Sequence, residues 1–417
     1  MPHQRSLQPS MIGTRMILRI FIPFALGYFI SYLFRVVNAM IAAELVADLN
    51  VDPSQLGLLS ATYFIAFASS QLPLGILLDR VGPRVVEGSL LCFAAAGATV
   101  FTLSHSLAGI IAGRALIGFG VSACLMAAFK SYVIWFPASI LSRVNGFQMA
   151  AGGLGALAAT LPVKWALGFT DWRGVFLGLA ALCLATALMV FLCVPNTRRN
   201  QDHAALTVQI QGVIQVFKSP VFWKIAPLTT VSQAGYVSIQ GLWAGPWLKD
   251  VAGVPAHETA RMLSFSALAM IAGFISLGYL AEKLSARGIP VKATAVMGMT
   301  LFIGVQALLT FNILFPPQIL LVLFGFFGTS GILSYTALTF DFPTGLSGRV
   351  TTSINTLVFI GAFTIQWGIG AVINLWAVSA VGVFAPEGYR AGFGALLVCQ
   401  ILCLVWFWAF NPSPPKC

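Results

Sequence analysis

From Ile20 to about Ala47 the chain runs for 28 residues with only two charged side chains, Arg35 and Glu44. An α-helix rises about 1.5 Å per residue, so roughly 20 apolar residues cross the ~30 Å hydrocarbon core of a bilayer. Runs of this length recur along the whole chain. Twelve can be placed, near 20 to 47, 55 to 78, 84 to 104, 107 to 135, 144 to 168, 174 to 194, 223 to 248, 259 to 281, 292 to 312, 318 to 340, 349 to 378 and 390 to 411. They are numbered helices 1 to 12 below. Each is about twice the ~9–11 residues that a membrane-spanning strand needs, which excludes a β-barrel. Composition agrees: 58% of the 417 residues are hydrophobic and 8% are charged, against about 25% charged in a soluble domain. The expected fold class is an all-α integral membrane protein of twelve transmembrane helices.

The longest weakly hydrophobic interval, "VPNTRRNQDHAALTVQIQGVIQVFKSP", spans residues 194 to 220 and divides the helices six and six. This predicts an N-terminal half over 1–194, a linker over 195–222 and a C-terminal half over 223–417. The basic residues orient the halves. With the N-terminus in the cytoplasm, sixteen fall in inner segments and five, Lys164, Arg173, Lys249, Arg261 and Arg390, in outer ones, with Arg35 and Arg114 inside spans. That division obeys the positive-inside rule and places both termini and the linker in the cytoplasm, in the inner membrane of a bacterium. It also accounts for the net charge of +11 without a nucleic-acid partner. The polar, basic start of the chain reads as a cytoplasmic tail before an uncleaved first helix, because the apolar run behind it is too long for a signal peptide.

The halves repeat. "FPASILSRVNG" after helix 4 and "FPTGLSGRVTT" after helix 10 share a Pro-to-Arg separation of six, at Pro137 with Arg143 and Pro343 with Arg349. Arg-x-x-Phe recurs before helices 6 and 12 at Arg173 and Arg390. "GILLDR" from Gly75 and "GYLAEK" from Gly278 place a glycine, an acid and a base at matched intervals. Parallel six-helix repeats about an axis normal to the membrane predict the architecture of the major facilitator superfamily. "GILLDRVGPR", Gly75 to Arg84, resembles that superfamily's motif between helices 2 and 3 at every consensus position, and "GRALIGFGVSA", Gly113 to Ala123, resembles its helix 4 motif more loosely. The resemblance covers the whole chain through the repeat. It implies a gating role for Asp79, Arg80, Gly82 and Arg84, with Asp79 latching the cytoplasmic side against the N-terminus of helix 11, and for Arg114 in coupling or helix packing. Gly82 allows the tight turn that so short a loop needs.

Arg35 is the exception within these apolar runs. A charge at the middle of a spanning helix costs about 3 kcal/mol on insertion scales, so intramembrane charges face cavities and mark substrate paths. Glu44 is nine residues away, about 13 Å along the helix, and no Asp or Glu occupies the middle of any other span. An anionic ligand would supply the missing partner. Tyr28 and Tyr32 precede Arg35 on nearly the same helical face. "GYFISYLFRVVNAMIAAEL" resembles helix 1 of the superfamily's organophosphate and organic-anion carriers, which implies anion binding at Arg35 and Tyr32. Helix 7, "GYVSIQGLWAGPWL", brings Gln240 and Trp243 but no second Arg, which disfavours a phosphate dianion. Nitrate carriers are similar in their glycine-rich helices but use an Arg in each of helices 2 and 8; here helix 2 has none and Arg261 lies at the outer end of helix 8. Gln148, Tyr335, Asn355 and Gln366 are further candidates for the cavity wall; hydrogen bonding between helices is their other reading.

The four histidines lie in tails or loops, so no metal cluster is expected, and no phosphate-binding G-x-x-x-x-G-K-[ST] loop occurs. The seven cysteines fall in apolar runs or at the last residue, which argues against disulfides. No cofactor and no enzymatic activity are predicted. The expected function is a monomeric secondary active transporter of a small organic anion, a monocarboxylate, working in the bilayer by alternating access. Protons are the expected coupling ion, travelling with the substrate or through Glu44, with sodium coupling and anion exchange as the alternatives. The alternatives are a proton-driven multidrug or metabolite exporter, which helix 5 argues against by lacking a Gly-Pro pair, and a nitrate/nitrite-type carrier. A non-transporting sensor would need a signalling domain.

Overall fold

The computed structural model describes residues 16–137, 140–196, 206–312, 316–343, 346–376 and 383–411. Among the described residues every element is helical, and twelve passes form in the expected order. Helix 1 follows a π-turn and runs as Ile22–Val36 and Asn38–Leu49, helix 2 as Pro53–Arg80 and helix 3 as Pro83–Leu103. Helix 4 is Leu107–Gly120 with Cys124–Trp135, helix 5 is Leu141–Ala158 with Leu161–Ala166, and helix 6 is Trp172–Cys193. Helix 7 runs as Pro220–Ser238, a π-turn at Ile239–Trp243 and Ala244–Asp250; helix 8 is Ala256–Ser285 and helix 9 is Val291–Phe311. Helix 10 is Pro317–Gly328 with Ile332–Phe340, helix 11 is Ser347–Ile373 and helix 12 is Pro386–Ala409. Ten of the passes are long and apolar enough by composition to cross a membrane.

Local chemistry sets the helix ends. Asp52 accepts from the Gln55 amide at 2.8 Å while the Gln55 side chain accepts from the Asp52 amide at 3.1 Å, a reciprocal cap before Pro53. Ser106 and Asp171 cap helices 4 and 6 by accepting from the Gly109 and Gly174 amides. Gly82 stands at φ 92°, the left-handed region that the two-residue turn between helices 2 and 3 requires. Arg84, at the head of helix 3, donates to the Phe191 carbonyl near the end of helix 6.

The halves meet along three pairs: helix 1 with 7, helix 2 with 11 and helix 5 with 8. Contact is closest away from the end where the chain starts and finishes. There Gly245 of helix 7 lies so near the Ala39 carbonyl of helix 1 that a methyl group would collide with it. Trp367 of helix 11 donates to Ser54 of helix 2 at 3.3 Å, and Ser264 of helix 8 meets Thr160 of helix 5 at 2.8 Å. This far end is closed. At the terminal end the halves separate around a cavity of about 840 Å3, lined there by the exposed Gly146, Phe147 and Thr336.

Two expected helix courses need correction, and part of the expected linker is helical. Helix 5 is divided at Ala159 and Thr160 rather than continuous. Helix 11 ends at Ile373, short of 378. Within the expected linker, Leu206–Lys218 forms a helix that packs on helix 11, where Arg349 lies across Gly212. Arg198, Arg199 and the side chains of Asp79 and Arg143 lie outside the described residues.

Candidate functional site

The cavity wall is built at broken helices. Backbone groups freed by a break inside a membrane must find partners, and irregular backbone is tolerated only where it borders a cavity or packs within protein. Three breaks are met by side chains from neighbouring helices. Arg114 of helix 4 donates to the Phe34 carbonyl of helix 1 at 2.8 Å. Gln71 of helix 2 donates to the Ser122 carbonyl of helix 4 at 3.4 Å. Gln233 of helix 7 donates to the Gly328 carbonyl of helix 10 at 2.7 Å. The last two breaks correspond across the repeats, since helices 4 and 10 are equivalent, although the glutamines that meet them come from the non-equivalent helices 2 and 7.

Arg35 sits one residue before the last helical residue of the first part of helix 1, facing the cavity and 8% exposed. Its guanidinium is held over the rings of Tyr32, Phe359 and Phe67, at 4.4, 5.1 and 5.6 Å from their centroids. Such stacking is worth about 0.5–2 kcal/mol per ring face and fixes the plane of the fork. Nε has no hydrogen-bond partner. Among the described residues no carboxylate pairs with Arg35, and it is the one charged side chain on the described cavity wall.

The other expected site residues divide. Tyr28, Tyr32, Gln240, Tyr335 and Asn355 line the cavity with Arg35. Tyr335 donates to Asn355 at 3.4 Å, and Asn355 donates to Gln71 at 3.1 Å, which ties helices 10, 11 and 2 together. Tyr28 packs edge-on to Tyr32 at 5.1 Å. Gln148, Trp243 and Gln366 do not line it. Gln148 is wholly buried, accepting from Tyr132 at 2.7 Å and donating to the Phe24 carbonyl at 3.1 Å, a clamp between helices 5, 4 and 1. Trp243 is buried in the far-end closure and donates to the Gln366 carbonyl at 3.0 Å. Arg114 is 1% exposed, stacks on Tyr63 at 4.9 Å and faces helix 1, not the cavity.

Residue types alone did not point to Gln71, Gln233, Tyr236, Phe67 or Phe359, all on the wall. Glu87 was not among the expected site residues either. It lies four residues inside helix 3, is 0% exposed, and neither carboxyl oxygen has a hydrogen-bond partner. It packs against Gly27 of helix 1 with the Cys124 thiol of helix 4 beside it. A lone Glu inside an apolar run was the available signal. Glu44 is far from both, at the far end, bordering a small pocket with Lys164, Lys249 and Asp250.

Comparisons with known proteins agree with this architecture. The chain is 24% identical over 271 residues to the hexuronate transporter of Escherichia coli (strain K12), a match covering 61% of this chain and 62% of that protein. It is 25% identical over 375 residues to the cis,cis-muconate transport protein of Acinetobacter baylyi (strain ATCC 33305 / BD413 / ADP1), covering 86% and 85%. Its fold superposes with a TM-score of 0.71 on a bacterial homolog of the human lysosomal transporter Spinster in an inward-facing, unoccupied conformation, at 16% identity and covering 97% of this chain and 100% of that one. The model of the Major Facilitator Superfamily, a family of transporters and not of enzymes, matches residues 24–365. With twelve passes in two repeated halves around a central cavity, the chain belongs to the Major Facilitator Superfamily.

Proposed function

We propose that the chain is a secondary active transporter that carries a small organic anion, a carboxylate, across the bacterial inner membrane by alternating access coupled to protons. The observation that carries this reading is Arg35: a buried guanidinium, held by rings and without a carboxylate partner, in a cavity between the two halves. A buried cation needs an anion, and a ligand carboxylate matches the planar fork of Arg in two parallel hydrogen bonds. The names of the hexuronate and muconate relatives are in keeping with an organic-acid substrate.

The sixteen-to-five division of basic residues supports a cytoplasmic terminal end, so that the cavity opens inward and the far end is the periplasmic gate. Closing of the terminal end would bring Asp79 to the start of helix 11, with Arg80, Gly82 and Arg84 forming the turn that carries it. Both halves of the site come from one chain, so a monomer suffices. For the proton, Glu87 is better placed than Glu44. Burying an ionised carboxylate without a partner costs several kcal/mol, so the charge on Glu87 is tied to the packing of helices 1, 3 and 4 around it. A nitrate carrier fits less well, because the described wall holds a single guanidinium, and an exporter of cationic drugs would meet a positive charge where it needs a negative one.

The test is uptake into proteoliposomes from a panel of carboxylates, with and without an inward proton gradient. The reading expects uptake of at least one carboxylate, accelerated by the gradient and lost when the gradient is collapsed. Transport of lipophilic cations with no carboxylate uptake would replace it by the exporter reading.

A further inference from the structure

We infer that the substrate is a monoanionic carboxylate with an aromatic or otherwise apolar body, and not a polyhydroxylated sugar acid; this rests on the anion-carrier reading above. Three features of the cavity carry it.

The first is charge. Arg35 is the one charged side chain among the thirty described lining residues, so one carboxylate is neutralised and a second would be left buried and unpaired. The second is the nature of the remaining wall. Nine of those thirty residues are aromatic, and the aliphatic and thioether side chains of Leu125, Met126, Met149, Ile271 and Ile332 fill much of the rest. Flat apolar ligands gain from such rings by burial and by offset or edge-on stacking.

The third is what the polar lining groups already do. Gln71 holds the Ser122 carbonyl and accepts from Asn355, whose own oxygen accepts from Tyr335. Gln233 donates to the Gly328 carbonyl, Gln240 to the Met270 sulfur and Tyr28 to the Met149 sulfur. Ser122 and Thr339 donate to the Phe119 and Thr336 carbonyls of their own helices. These groups serve the helix breaks and each other. The buried lining atoms left without a hydrogen-bond partner are Arg35 Nε and the Tyr236 hydroxyl, both donors. A sugar acid brings four or more hydroxyls besides its carboxylate. Each one buried without a partner weakens binding by about tenfold.

The experiment titrates the purified full-length protein with benzoate, nicotinate, glucuronate and the neutral benzamide, following melting temperature and binding heat, since a ligand of the folded state raises apparent stability. Arg35→Gln and Arg35→Lys are run in parallel. The inference expects benzoate and nicotinate to bind at least about a hundredfold more tightly than glucuronate, benzamide to bind weakly, and Arg35→Lys to keep part of the benzoate affinity that Arg35→Gln loses. Glucuronate binding as tightly as benzoate, and in an Arg35-dependent manner, overturns the apolar-body inference and leaves the anion carrier standing. Benzoate binding equally to the parent and to folded Arg35→Gln overturns the anion carrier itself. Binding of none of the four by folded protein also overturns the inference.

Discussion

Replacing Gly245 by alanine separates the contact between the halves from the packing inside each of them. The added methyl would lie closer than 3.0 Å to the Ala39 carbonyl, a backbone atom that cannot rotate away. Overpacking of this kind costs about 1–3 kcal/mol. The contact joins helix 7 to helix 1 and exists only while the far end is closed, so that state should lose about 5- to 150-fold in population relative to the one closed at the other end. Gly155→Ala is the comparison. Its methyl would collide with the Phe29 carbonyl, but both residues belong to the N-terminal half, and that contact persists through the cycle. The cost there falls on the fold. A cysteine at Ser54, whose hydroxyl meets Trp367 across the closed end, reports opening through its rate of maleimide labelling. Gly245→Ala should speed labelling by at least fivefold with a small change in melting temperature, and Gly155→Ala should lower the melting temperature without speeding labelling. A Gly245→Ala protein with unchanged labelling and a lowered melting temperature would refute the assignment of the far end as a gate.

Glu87→Gln keeps the shape of the buried side chain and removes its proton site, so substrate exchange should persist while accumulation driven by a proton gradient is lost; undiminished accumulation would free Glu87 of that role. Asp79→Asn should cut transport strongly with expression and insertion intact, and transport at the parent rate would leave Asp79 a topology charge. Reporter fusions at Arg199 should be cytoplasmic and one at His105 periplasmic. A periplasmic signal at Arg199 would overturn the orientation.

Helix number, order and repeat were legible because membrane insertion depends on run length and the repeats carry matched Pro, Gly and Arg landmarks. Side-chain facing was legible only in helix 1, where Tyr28, Tyr32 and Arg35 share a stripe. Depth along a helix can be counted from its ends, but rotation about its axis cannot. Trp243 follows Gln240 by three residues, yet the π-turn at Ile239–Trp243 alters the register and turns the indole into the far-end closure. Gln148 and Gln366 sit at suitable depths and face helix contacts. Glu87 was overlooked for the converse reason: four residues from Pro83 reads as a membrane edge, while packing by helices 1, 4 and 6 buries it completely. The break at Val37 has neither Pro nor Gly to announce it, whereas those in helices 4 and 10 adjoin glycines, at Gly120 and at Gly328 and Gly331.

The central claim is that Arg35 exists to hold the substrate's anionic group, and one paired measurement on Arg35→Gln addresses it: carboxylate uptake into proteoliposomes together with the melting temperature of the same purified protein. Removing a buried charge-assisted contact costs about 2–5 kcal/mol of binding, roughly 30-fold or more in affinity. It also removes an unpaired cation from the membrane interior, so the fold should be as stable as before or more so. The account predicts weak uptake by a stable protein. A badly destabilised Arg35→Gln protein, or a stable one with unchanged uptake, would contradict it.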